Sequence, residues 1–94
     1  MMGEAEGLCT IVVIGNKRGL HARAAAKFVK LAETFLAEVA VVKDEMHVSA
    51  CSIMGLMMLA AGCGAQIQIS ASGPEAAEAL TALSELVKRK FDEE

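Results

Sequence analysis

Residues 66–71, QIQISA, alternate polar and apolar side chains without a break. Successive strand residues point to opposite faces, so strict alternation buries one face of a strand and wets the other. A sheet built around such a strand takes helices on one side only. Two more runs, residues 9–14 (CTIVVI) and 38–43 (EVAVVK), are rich in β-branched side chains and read as strands. After Asp44-Glu45, a weak hairpin signal that lacks the usual glycine, residues 46–49 form a fourth, short strand.

Helical spacing fills the gaps between these runs. From Ala22, apolar residues recur at Ala25, Phe28 or Val29, Ala32, and Phe35 or Leu36, while Lys27, Lys30 and Glu33 take the wet side. Ser52 opens a short apolar helix, SIMGLMML, that stops near Gly62 and Gly64. Ser72-Gly73-Pro74-Glu75 reads as a helix start with proline at the first helical position and acid in the first turn. One stripe follows through Ala76, Ala79 or Leu80, Leu83, Val87 and Phe91. The order β-α-β-β-α-β-α predicts an α+β fold: a four-stranded antiparallel sheet with helices on one face, in two layers. Its 94 residues suffice for one compact core and are too few for two, so residues 1–94 are expected to form a single domain.

Composition narrows the chemistry. Hydrophobic residues make up 54% of the chain, enough for a core without a disulfide or metal staple. With no Trp or Tyr and three Phe, that core must be aliphatic and Met-rich. A net charge of -3 with scattered Lys and Arg argues against nucleic acid, which calls for a basic stripe. The one cluster, Lys88-Arg89-Lys90, suits a helix C-terminus. Cys9, Cys51 and Cys63 are odd in number and fit no zinc spacing; their apolar surroundings predict buried, reduced thiols and hence the cytoplasm. The start, MMGEAEG, lacks the basic and apolar regions of a signal peptide, and the longest uncharged apolar run, residues 53–65, is too short to span a bilayer. No membrane association, cofactor or metal is expected.

The chemistry-bearing candidates are few. In GLHARAAA, residues 19–26, His21 stands where a loop becomes a helix, beside unpaired N–H groups and the positive end of the helix dipole. Such a terminus can hold a phosphate, a neutral imidazole can carry a phosphoryl group, and Arg23 can supply a forked donor set. The alanines around them leave the ring uncrowded. Equally, His21 can simply cap the helix, with Arg23 a solvated charge. His47 reads as a surface residue on a short strand. Two histidines without a nearby carboxylate pair make a poor metal site. No Gly-x-Ser-x-Gly occurs and no cysteine has an evident base, which leaves little room for a hydrolase. The helix after Ser52 is apolar almost all round, so either it is wholly buried or some of Ile53, Met54, Leu56, Met57 and Met58 face a partner. Ser52 reads as its N-cap; phosphorylated, it would add roughly -1.5 to -2 charges beside that surface.

Taken together, G-L-H-A-R-A-A, then S-I-M-G-L-M-x-L, then G-A-x-I-x-I-S-A-S-G resemble the HPr family, histidine phosphocarriers of the bacterial phosphotransferase system. The resemblance spans about residues 8 to 91, with the motifs in order and at matching separations. It implies an open-faced β-sandwich of βαββαβα order, with three helices on one face of the four-stranded antiparallel sheet. It implies a carrier rather than a self-sufficient enzyme. His21 would accept phosphate at Nδ1 from phosphorylated Enzyme I, assisted by Arg23, and pass it to EIIA-type proteins. Ser52 would be a regulatory site for HPr kinase/phosphorylase, and Leu20, Arg23, Ile53, Met54 and Met57 would form the partner face of a monomer. A signalling role in the nitrogen-related branch is the alternative. Three departures stand out: Ala24 replaces the family's usual Pro, Cys51 replaces a frequent Lys before the serine, and Asp44-Glu45 replaces a glycine-containing turn.

Overall fold

The computed structural model describes residues 7–93; the acidic N-terminal stretch read above lies outside them, save Gly7. The elements run β1 (Leu8–Val13), α1 (Ala22–Ala32), β2 (Glu38–Lys43), β3 (Met46–Ser49), α2 (Ile53–Met58), β4 (Gln66–Ser72) and α3 (Ala76–Lys88), followed by a single turn at Lys90–Asp92. The sheet order is β1-β4-β2-β3, with every neighbouring pair antiparallel. Val12 faces Ile67 across β1 and β4, and Val41 faces Ile69 across β2 and β4, so their inward side chains meet the helices as one apolar layer. Ile11 and Val13 point the other way and are 62% and 52% exposed. The helices therefore cover one face, as the alternation in β4 requires.

The hairpin closes without glycine because Asp44 itself takes the left-handed conformation, at φ 56°, which Asp tolerates better than most residues. Four expectations fail locally, each for an identifiable reason. The helix of α1 stops at Ala32, so the stripe ends early; of the two residues offered for its end, Phe35 still packs against the core while Leu36 is 70% exposed. Pro74 is not the first residue of α3. Instead Glu75 stands at the cap in a non-helical conformation, its N–H donating to the Leu36 carbonyl (2.9 Å) and its carboxylate accepting from the Leu36 N–H (2.7 Å). The acid that looked like a first-turn charge ties α3 to the loop after α1.

Phe91 does not continue the stripe of α3. The helix ends at Lys88, and Lys90, Phe91 and Asp92 all adopt left-handed φ, at 59°, 55° and 61°. Each such non-glycine residue costs about 1–3 kcal/mol. Opposing that cost, the Phe91 ring is wholly buried, worth about 1.5–3 kcal/mol. Lys27 Nζ donates to the Phe91 carbonyl at 2.8 Å, and Arg89 Nε to Asp92 Oδ1 at 2.9 Å. Finally, the cysteines are not buried: Cys9 lies on the open face of the sheet, Cys51 in the turn before α2 and Cys63 in the loop after it, all exposed and free. Apolar neighbours in sequence did not become neighbours in space.

Candidate functional site

The loop that delivers His21 is fixed by backbone sterics. Gly19 sits at φ 68°, and a Cβ there would fall 2.5 Å from the Ala61 carbonyl oxygen, so only glycine lets the two loops touch. The adjoining Leu20 N–H donates to that same carbonyl at 2.9 Å. Asn16, fully buried, donates through Nδ2 to the Gly19 carbonyl at 2.9 Å. Behind the loop, Ala24, Ala25 and Phe28 have no exposure and seat α1 in the core. The alanines of the motif thus divide: Ala24 and Ala25 face inward, whereas Ala22 is exposed beside the ring.

His21 is the N-cap of α1, and its Nδ1 accepts the Arg23 N–H at 3.3 Å. Its Nε2 lies 2.7 Å from Glu93 Oε2, while Glu93 Oε1 accepts from Asn16 Nδ2 at 3.0 Å. The two partners specify one tautomer. Nδ1 faces a donor and must offer its lone pair, so Nε2 carries the proton that goes to the carboxylate. The ring is half-buried, and Nδ1 points at first-turn N–H groups that have no intrahelical acceptor. A phosphoryl group attached there would meet those donors and the positive end of α1. Arg23 is exposed, and among the described residues its guanidinium makes no ion pair. The Glu93 carboxyl is held below its ordinary range, chiefly by the hydrogen bond from Asn16 and further by His21.

The second site lies on α2, which packs against α1. Ser52 is its N-cap, with Oγ accepting the Gly55 N–H at 2.9 Å. Leu56 is buried, while Ile53 (41%), Met54 (70%), Met57 (41%) and Met58 (64%) remain exposed, so the helix is not wholly buried. Leu20, expected on the same face, is 5% exposed and belongs to the core. It supports the surface from below and offers little of itself. His47 is exposed on β3, and no group of three metal-ligating side chains occurs among the described residues. Nor is any helix among them long and apolar enough to cross a membrane.

The family model described as the PTS HPr component phosphorylation site matches residues 9–89. The chain belongs to the HPr family. It is 48% identical over 82 residues to the phosphocarrier protein HPr of Neisseria meningitidis serogroup A, covering 87% of this chain and 92% of that protein. It is 49% identical over 82 residues to the phosphocarrier protein NPr of Shewanella violacea, covering 87% and 90%. Among solved structures, an HPr from Thermoanaerobacter tengcongensis superposes with a TM-score of 0.89 at 44% identity, covering 93% and 98%. The HPr family is one of phosphocarriers, so the group this fold is built to bear is a phosphoryl group.

Two residues of the site escaped the sequence reading. They are Asn16, in the loop after β1, and Glu93, beyond the last helical turn. Neither carries a signal in the sequence, because the contact between them is made by a turn that distant packing sets.

Proposed function

We propose that the protein is a cytoplasmic, single-domain, monomeric phosphocarrier that accepts a phosphoryl group on His21 Nδ1 from phosphorylated Enzyme I and donates it to EIIA-type proteins. The observation that carries this reading is the His21 tautomer: a lone pair on Nδ1, aimed at the open amides of α1. In the forward step that lone pair attacks phosphorus, and the bond to the donor's leaving atom breaks with its electron pair. The first-turn N–H groups and the exposed Arg23 guanidinium then hold the phosphoryl oxygens. Ile53, Met54 and Met57 on α2, with Arg23 on the neighbouring α1, form the docking surface for both partners. Met suits a face that must fit more than one.

Ser52 is a regulatory site for HPr kinase/phosphorylase: its Oγ lies at the head of that docking helix, where a phosphate would put charge beside apolar contacts. The chain resembles HPr and NPr relatives to nearly the same degree, so the downstream acceptor is a sugar-linked or a nitrogen-linked EIIA according to which one drains the carrier faster.

The test is to incubate the chain with phosphoenolpyruvate and Enzyme I, and in parallel with ATP and HPr kinase, and to map both adducts. An acid-labile adduct that disappears in His21→Ala is expected from the first reaction, and an acid-stable one on Ser52 from the second. Persistence of the acid-labile adduct in His21→Ala would sink the assignment.

A further inference from the structure

Composition predicts a Met-rich core, yet none of the described methionines enters it. Met46, Met54, Met57 and Met58 are all at least 41% exposed, and three of the four stand on the six-residue helix α2. We propose that Met54, Met57 and Met58 form a reversible modification site: a two-electron oxidant of the peroxide class converts them to sulfoxides, which closes the docking surface without disturbing the fold. The proposal rests on the reading of α2 as the surface that meets phosphoryl donors and acceptors.

Spacing, access and redundancy to the fold all point to these three side chains. Residues three and four apart on a helix share a face, so Met57 and Met58 both neighbour Met54, while Leu56 is the helix's one buried residue. Met54 is 70% and Met58 64% exposed, and the reach of an oxidant follows exposure. The core is closed entirely by Val, Ile, Leu, Ala and Phe, and α2 is seated through Leu56 and capped by Ser52. Oxygen added to these sulfurs therefore meets water and leaves the core untouched. Only when a partner covers α2 must the S–O dipole give up its water, and an apolar contact offers no donor in exchange.

In the oxidation a sulfur lone pair attacks one oxygen of the peroxide and the O–O bond breaks. The departing hydroxide takes the proton of the transferred oxygen and leaves as water. Sulfur is oxidised by two electrons and the peroxide is reduced by two. In the reverse step a thiol-dependent sulfoxide reductase removes the oxygen as water, and its two thiols become a disulfide. A sulfoxide carries no net charge, so this modification differs from a phosphate on Ser52. It acts by polarity at the contact itself, not by charge at the head of the helix.

The test uses the full chain carrying Cys9→Ser, Cys51→Ser and Cys63→Ser, because exposed thiols react with the same oxidant. After treatment with hydrogen peroxide and its removal, peptide mapping should find oxygen on Met54 and Met58 before Met57 and Met46. Phosphoryl acceptance from Enzyme I should fall about tenfold, while the melting temperature stays within about 2 °C. The two epimer-specific methionine sulfoxide reductases should then restore transfer. In the variant Met54→Leu, Met57→Leu, Met58→Leu, measured against its own untreated rate, peroxide should no longer change transfer. The variant Met54→Gln, Met57→Gln, Met58→Gln, with a permanent polar group at similar length, should behave as the oxidised chain does. Transfer by the oxidised chain within about twofold of the untreated rate overturns the proposal. So does an equal loss in the Leu variant, or a loss that the reductases do not reverse. Undiminished transfer by the Gln variant fails the docking reading itself, and an untreated chain that forms no adduct fails the carrier reading; the proposal falls with either.

Discussion

Two helices begin at the functional face, and they begin differently. At α1 the cap is an imidazole nitrogen at a long 3.3 Å, on a helix that buries Ala24, Ala25, Phe28, Val29 and Ala32. At α2 the cap is the Ser52 hydroxyl at 2.9 Å, on a six-residue helix that buries only Leu56. So short a helix has little intrinsic stability and leans on its cap and its few contacts. α1 needs no such help, because the core holds it. Its cap position is therefore free to carry a group chosen for reactivity rather than for hydrogen-bond strength. Under the proposed function the capping and phosphoryl-bearing readings of His21 are compatible: the nitrogen that caps is the nitrogen that would attack.

The most disruptive way to break this asymmetry is to unseat the loop that feeds α1. Gly19→Ala places a methyl 2.5 Å from the Ala61 oxygen and 2.8 Å from the Gly62 Cα, at a left-handed φ, and both are backbone atoms. We expect a loss of about 3 kcal/mol in urea unfolding, together with loss of the NMR signal of the His21 Nε2 proton as the Asn16–Gly19 link shifts. Near-native stability would mean that the loop, and not glycine, absorbs the contact.

A smaller effect separates the two caps directly. Ser52→Ala is expected to cost about 1 kcal/mol, the usual worth of a good N-cap. His21→Ala should cost less, under about 0.5 kcal/mol, because its cap bond is long and Asn16 still engages Glu93. The comparison is read from paired denaturation curves. If His21→Ala is the more damaging, α1 depends on its histidine for stability and the division of labour drawn here is wrong.

Much of this was legible in the sequence where one physical rule acted alone. β2 and β3 fall on residues 38–43 and 46–49 as read, since β-branched runs bounded by a short polar turn leave little choice. Helix α1 begins at Ala22, where the loop residues end and alanines begin. What stayed hidden was decided by distant contacts. Glu75 is drawn out of its helical role by Leu36, and Phe91 is turned back by burial in the core and by Lys27 of α1 on its carbonyl rather than by any local propensity. The left-handed Lys-Phe-Asp turn has no glycine to announce it, so the path of Glu93 to His21 could not be read from residues 90–93. The cysteines misled for a related reason: burial follows the face of a strand or the depth of a loop, not the hydrophobicity of adjacent letters.

The gentlest probe of the asymmetry is acid, because only one of the two sites titrates there. Asp92 is held below its ordinary range chiefly by the hydrogen bond from Arg89, with Arg89 and Lys27 charges adding to it. Glu93 is lowered chiefly by Asn16, then by His21 and Lys27. A carboxyl whose folded value is depressed favours the fold while ionised. That contribution is full above the unfolded value of about 4, and it fades as pH falls through the lower folded value. Asp92 faces solvent and Glu93 sits at the protein's edge, so the effect on global stability is small. The left-handed hook at Lys90–Asp92, however, should loosen first. Between about pH 5 and pH 3, the Glu93 amide, which donates to the Lys90 carbonyl at 2.9 Å, should lose hydrogen-exchange protection while the amides of β4 keep theirs. The Gly55 amide on Ser52 has no titrating partner and should be unmoved across the same range. Loss of protection at the hook, at Gly55 and in β4 with a single midpoint would show the hook to be part of the global unfolding unit, with no separate hold on the ring it touches.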